Sequence, residues 1–252
     1  MSHPAFRRVD HRPWPVPARP WRWRQTWHQL VFLHWPVASA SLRPLVPPKL
    51  TIEEFEGTAW VAVTPFWISG ATLRQVPPIP VVSRFPELNV RTYVTLDRRP
   101  GVWFFSLDAG SMLAVLAARQ LFRLAYFHAR MSHRSEGRRV FFRSERPNGP
   151  AFLGHYEPGG ATFESRPGSL EHWLTERYCL YAQRSGKLFR AEIHHLPWPL
   201  QPALVRLERN EMLTGQGIPV EGLPAQIHFA GRLEVVIWPL EPVDSGASGG
   251  KR

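Results

Sequence analysis

The chain contains one cysteine, Cys179, so no internal disulfide can form and a reducing compartment suits it. No apolar run reaches the roughly 18 residues that a membrane-spanning helix needs. The N-terminus has no apolar signal core, and together these absences point to a cytoplasmic protein. HxH, HExxH and CxxC patterns are missing, and so are GxSxG and any glycine-rich phosphate loop. No metal and no cofactor is therefore expected. Lysine is scarce, with only Lys49, Lys187 and Lys251, so almost all of the basic charge is arginine. Carboxylates are few as well, 20 against 31 basic residues, leaving a net charge of +11. That excess is scattered along the chain, which argues against nucleic acid as the main partner.

A hydrophobic fraction of 44% over 252 residues describes a chain that can bury a real core. Residues 1–23 include RPWPVPARPWRW, where prolines forbid regular structure, and form an extended arm that can dock through Trp14, Trp21 and Trp23. Residues 243–252 read as a flexible tail. Between them, residues 24–242 read as one α+β domain dominated by antiparallel strands. TWHQLVFLHW, AWVAVTPFWI, NVRTYVTL, GVWFFSLDA, RVFFRSE, RYCLYAQ and KLFRAEIHH carry strand patterns, and LPAQIHFAGRLEVVIWPL supplies one or two more. SASLRPLV predicts a short helix stopped by Pro47 and Pro48, and Ser169 caps a second short helix. Ser111 to Leu124 predicts a buried helix that is apolar almost all round.

Strand alternation places Glu87, Asn89, Arg91 and Tyr93 on one face. In the next strand Phe104, Ser106 and Asp108 share a face, opposite Trp103, Phe105 and Leu107. If the two polar faces align, an arginine, two carboxylates, an amide and a hydroxyl converge. Two readings follow: a ligand cavity, since buried charges need partners, or a sheet with one wet face. Adjacent His194 and His195 point to opposite faces, so they cannot chelate one metal together, and His194 shares its face with Glu192. Cys179, between Tyr178 and Leu180, reads as a small buried apolar residue.

Several long segments in order, SLRPLVPPKLTI, AWVAVTPFWISG, FPELNVRTYV, GVWFFSLDA, ARQLFRLAYFHAR, LTERYCLYA and EIHHLPWPLQPA, resemble the YqjF-like family of uncharacterised bacterial proteins. That family is similar, more distantly, to the acetoacetate decarboxylase-like superfamily. The resemblance spans roughly residues 11–242. It implies a cone-shaped, mostly antiparallel β-barrel around an apolar cavity, in homo-oligomers. It also implies a site in which a lysine amine forms a Schiff base with a ketone. Matching that motif residue by residue puts Arg119 and Gln120 on its Arg-Glu, Ala125 on its proline, and Tyr126 and Phe127 on its two lysines. A further glutamate of the motif falls near Ala62. Neither a phenol nor a phenyl ring forms an imine, and all three lysines are expected in water.

The expectation is thus a small-molecule cavity without covalent lysine chemistry. Arg91 or Arg119 would hold a carboxylate or enolate oxygen bidentately. Tyr126 would donate a hydrogen bond or act as general acid, with Glu87 or Asp108 as base. Trp60, Phe66, Phe104 and Phe122 would supply an apolar lining, and Asn89, Ser106 and His194 further contacts. The alternatives are a binding or sensing module without turnover, and a basic surface meeting nucleic acid or anionic membrane through the arm.

Overall fold

The structure, a computed structural model, describes residues 3–79, 83–121 and 124–243, the side chains of 117–121 excepted. Strands dominate it: β1 (Trp23–Val37), β2 (Thr51–Ile52), β3 (Glu54–Phe55), β4 (Thr58–Leu73), β5 (Phe85–Leu96), β6 (Arg99–Ala109), β7 (Tyr126–His128) and β8 (Arg130–Glu136). The series continues with β9 (Arg139–Glu145), β10 (Ala151–Pro158), β11 (Cys179–Arg184), β12 (Lys187–His195), β13 (Leu200–Asn210), β14 (Gln226–Ile237) and β15 (Glu241–Pro242). The α-helices are α1 (Ser39–Leu42), α2 (Met112–Leu121) and α3 (Leu170–Thr175). Among the described residues no helix is long and apolar enough to cross a membrane.

The hydrogen-bonded order runs β15-β12-β11-β6-β5-β4-β1-β14-β13-β10-β9-β8, and β12 also pairs with β14. The second pairing returns the path on itself through β12, β11, β6, β5, β4, β1 and β14. The sheet is mixed, because β6 runs parallel to both β11 and β7. One apolar cluster lies inside the closed path and includes Phe32, Phe66, Leu107, Leu180, Ile193 and Trp198. A second, with Val61, Leu88, Phe142 and Phe152, fills the space between that path and β8–β10.

Local chemistry accounts for the turns. The β5–β6 hairpin closes through the two-residue turn Asp97–Arg98, both with positive φ, 52° and 57°. Gly101 has a packing role. A β-carbon there would stand 2.6 Å from Cys179 Sγ and 2.8 Å from its carbonyl oxygen, on the neighbouring parallel strand. Gly101→Ala is expected to cost about 2 kcal/mol of stability, read from the urea midpoint at unchanged slope.

Seven strands escape the sequence pattern: β2, β3, β7 and β15 are only two or three residues long, and β8, β10 and β13 carry arginine, glycine or proline where alternation is expected. The α2 expectation needs correction too. Its Val115 is buried, but Met112, Leu113 and Leu116 are at least half exposed, so an apolar composition does not make it a core helix. The N-terminal segment packs along β12. Arg12 donates to the Ile193 carbonyl and to Glu192, Trp14 Nε1 donates to the same carboxylate at 2.7 Å, and His11 Nε2 lies 2.9 Å from the His195 carbonyl.

Candidate functional site

A cavity of about 60 Å³ lies inside the closed path. β5 contributes Glu87, Asn89 and Arg91 to its wall at every second residue, as one strand face must. β4 adds Thr64 and Phe66, β6 adds Phe104 and Leu107, and β7 adds Tyr126. The loop after α3 brings Arg177, and the chain beyond β12 brings Trp198. Two local breaks set which side chains face inward. Gln29 has φ 47° and drops out of the β1–β14 register, so Trp27 and Leu30 both point in. In β6, Val90 pairs with Ser106 but Arg91 pairs with Phe104, so Phe105 is an extra, bulged residue.

At one end Tyr126 donates its hydroxyl to Glu87 Oε2 at 3.0 Å. Glu87 is 3% exposed, and burial pushes its carboxyl up to about 8, opposed by hydrogen bonds from Tyr126 and Asn89. Burial, with Glu87 beside it, also drives the Tyr126 phenol well above its usual range. At neutral pH this end is therefore a neutral carboxylic acid beside a neutral phenol, able to donate a proton or a hydrogen bond.

Four residues along β5, roughly 13 Å by strand rise, Arg91 marks the other end. The residue is 9% exposed; its guanidinium stacks over Phe32 and Tyr93 at 5.2 and 5.7 Å, makes a long bond to the Leu174 carbonyl at 3.5 Å and interacts with the Tyr93 hydroxyl. Among the described residues no carboxylate lies within ion-pair reach of it, and its Nε has no protein partner. Arg177 sits on the same Tyr93 ring, at 4.9 Å, but its charge is met by Glu53. Arg177 Nη2, Trp198 Nε1, Asn89 Oδ1 and Thr64 Oγ1 are likewise buried without a protein hydrogen bond. Such groups cost free energy unless something else satisfies them. His195 completes the wall; its Nδ1 lies 2.7 Å from the Leu196 carbonyl and so carries the proton, leaving Nε2 as acceptor. Burial lowers its pKa to about 3, so the ring is neutral.

Of the residues expected from sequence, Glu87, Asn89, Arg91, Phe66, Phe104 and Tyr126 line this cavity. Ser106 and Asp108 do not: the bulge at Phe105 turns them to the opposite face. There Asp108 is fully buried against Arg146 and Ser144, and Ser106 accepts from Gln216 at 3.3 Å. His194 faces outward as well, packed on His11 and Phe6 of the N-terminal segment, and His195 takes the inward place. Trp60 shares the face of Thr64 and is buried in the same apolar cluster as Phe66, but it does not line the cavity. Arg119 lies in α2, its side chain outside the described set, and Phe122 lies outside the described residues. Lys49 and Lys187 are exposed, and no described lysine lines the cavity. Sequence patterns overlooked Arg177, His195 and Trp198, which sit in loops or at a strand end where no periodicity marks an inward face.

The family model DUF2071, an uncharacterised conserved protein, matches residues 24–234. The uncharacterised protein YqjF of Bacillus subtilis is 42% identical over 227 residues, 89% of this chain and 94% of that one. The enduracididine biosynthesis enzyme MppR complexed with pyruvate is similar in structure, with a TM-score of 0.62 at 10% identity over 90% of this chain and 91% of that one. Acetoacetate decarboxylase from Legionella pneumophila gives 0.61 at 12% identity over 94% of each chain. An acetoacetate decarboxylase-like enzyme from Sphingomonas wittichii gives 0.60 at 12% identity over 88% and 92%. At these identities the structural likeness concerns the fold.

Proposed function

Since the chain belongs to the DUF2071 family and has the fold of acetoacetate decarboxylase-like structures, we propose that it binds a small organic acid carrying a second oxygen function. The observation that carries this reading is Arg91, a buried arginine with no carboxylate partner among the described residues. A ligand carboxylate would supply the missing charge, joined by Arg177 Nη2 and Trp198 Nε1, while an oxo or hydroxyl group meets Glu87, Asn89 and Tyr126. The closed strand path is read as a cone-shaped barrel wall around this site. The fold neighbour crystallised with pyruvate supports an acid of this class.

Any chemistry here is acid–base chemistry by Glu87 and Tyr126, without an imine. Borohydride reduction in the presence of an oxo acid is accordingly expected to leave the protein mass unchanged; a reduced adduct on Lys49 or Lys187 would contradict this. Tyr126→Phe keeps the ring and removes the hydroxyl held by Glu87. It is expected to change ligand affinity by no more than about tenfold, the worth of one neutral hydrogen bond, while any turnover drops by about a hundredfold or more. The direct test of the reading is a binding panel of small acids, such as lactate, pyruvate and acetoacetate, against their neutral amides. Binding of the acids alone supports it, and equal binding of acids and amides overturns it.

A further inference from the structure

Tyr126 reaches the cavity from β7, which is only three residues long. Three parallel pairings hold that strand to β6: Leu107 with Tyr126, Asp108 with Phe127 and Ala109 with His128. Its inward residue is Tyr126, and its outward residue is Phe127. On the outward side stands Arg146, at the start of the turn between β9 and β10, where Gly149 N–H donates to its carbonyl at 3.2 Å. The Arg146 guanidinium lies 4.1 Å from the Phe127 ring centroid. Its Nε donates to Asp108 Oδ1 at 2.6 Å, and Ser144 donates to Oδ2 at 2.8 Å. One side chain thus grips β7 through Phe127 and β6 through Asp108, from the face opposite the cavity.

Asp108 is fully buried and the Arg146 side chain is 9% exposed. A buried ion pair adds little net stability over an apolar filling, so its presence points to a role in fixing geometry. We infer that Arg146 is a positioning residue for the site: by clamping Phe127 against Asp108 it sets the Tyr126 hydroxyl at hydrogen-bond distance from Glu87. This rests on the cavity reading for its functional meaning, but its test needs no ligand.

The group to watch is Glu87. Facing it are Tyr126 on β7 and Asn89 on its own strand; Asp108, on the far face of β6, raises its midpoint through charge alone, and Arg91, Arg177 and His195 are the other titratable groups of the cavity wall. Loosening the clamp weakens the Tyr126 bond, which favours the ionised carboxylate, so the Glu87 midpoint should move up. The experiment is carboxyl-carbon NMR of the unliganded full chain labelled at glutamate, with Glu87 assigned by its loss in Glu87→Gln. Phe127→Leu removes the ring under the guanidinium and leaves the ion pair in place; the double variant Arg146→Met with Asp108→Asn removes the clamp without stranding a charge. Phe127→Leu should raise the Glu87 midpoint by about half a pH unit or more, the worth of one hydrogen bond, and the double variant by less, because it also removes the Asp108 charge that raises Glu87. Arg146→Lys keeps the charge but loses the flat fork and should restore only part of the shift. A role confined to stability would lower the melting temperature and leave the midpoint where it was; that result overturns the inference, whether or not any acid binds the cavity.

Discussion

Replacing Arg91 by methionine is expected to raise the dissociation constant of a bound acid at least about thirtyfold, since truncating a buried hydrogen-bonded charge costs roughly 2 kcal/mol or more. The same change is expected to leave the unliganded fold as stable as before, or more so. Both effects have one cause. Arg91 is a buried cation with a long bond to Leu174, an orphaned Nε and two aromatic faces, but no anion among the described residues. A methionine of similar length relieves the desolvation cost and fills the space. A structural arginine behaves in the opposite way, losing stability without affecting binding. Arg177 gives the contrast: with Glu53 as its partner, Arg177→Met strands a carboxylate and is expected to destabilise. Calorimetric titration and denaturant unfolding of the two variants separate these roles.

The second large effect is one of pH. Glu87 has an ordinary value of 4.5 and is pushed up to about 8 by burial. Below pH 4.5 the folded and unfolded chains both hold the proton, and the group costs nothing. Between 4.5 and 8 the unfolded chain releases a proton that the folded chain keeps, so stability falls as pH rises. Above 8 that loss is complete. By pH 7 it is on the order of 3 kcal/mol, at 1.36 kcal/mol for each unit of separation. Glu87→Gln keeps an oxygen to accept from Tyr126 and removes the titration. It is expected to flatten this part of the stability curve and to stabilise the protein at pH 7 by a similar amount. Ligand binding should follow the same group. Above pH 8 an ionised Glu87 adds a second negative charge to a cavity holding an acid, and affinity is expected to fall by up to tenfold per pH unit. The Gln variant should bind evenly across that range.

These two residues were legible in the sequence because they stand on a regular stretch of β5, where a period of two assigns faces correctly. The strands with long β-branched or aromatic runs were legible for the same reason. Alternation failed one residue beyond a bulge. Phe105 inserts itself opposite Arg91, and from there Ser106 and Asp108 change sides; nothing in VWFFSLDA announces it. For the inward histidine, parity alone says that His194 and His195 differ, not which is inside. The Arg12–Glu192 contact of the N-terminal segment settles that, and it joins residues 180 apart. α2 misled through composition, since an apolar helix with only Val115 buried among its described side chains looks like a core helix until its neighbours are known.

The most direct measurement is a crystal structure of the protein grown with lactate, pyruvate or acetoacetate at saturating concentration. A carboxylate is expected in the cavity with an oxygen within hydrogen-bond distance of the Arg91 guanidinium, and the rest of the ligand directed toward Glu87 and Tyr126. A cavity that stays empty with all three acids, or an acid bound with Arg91 turned away from it, would contradict it.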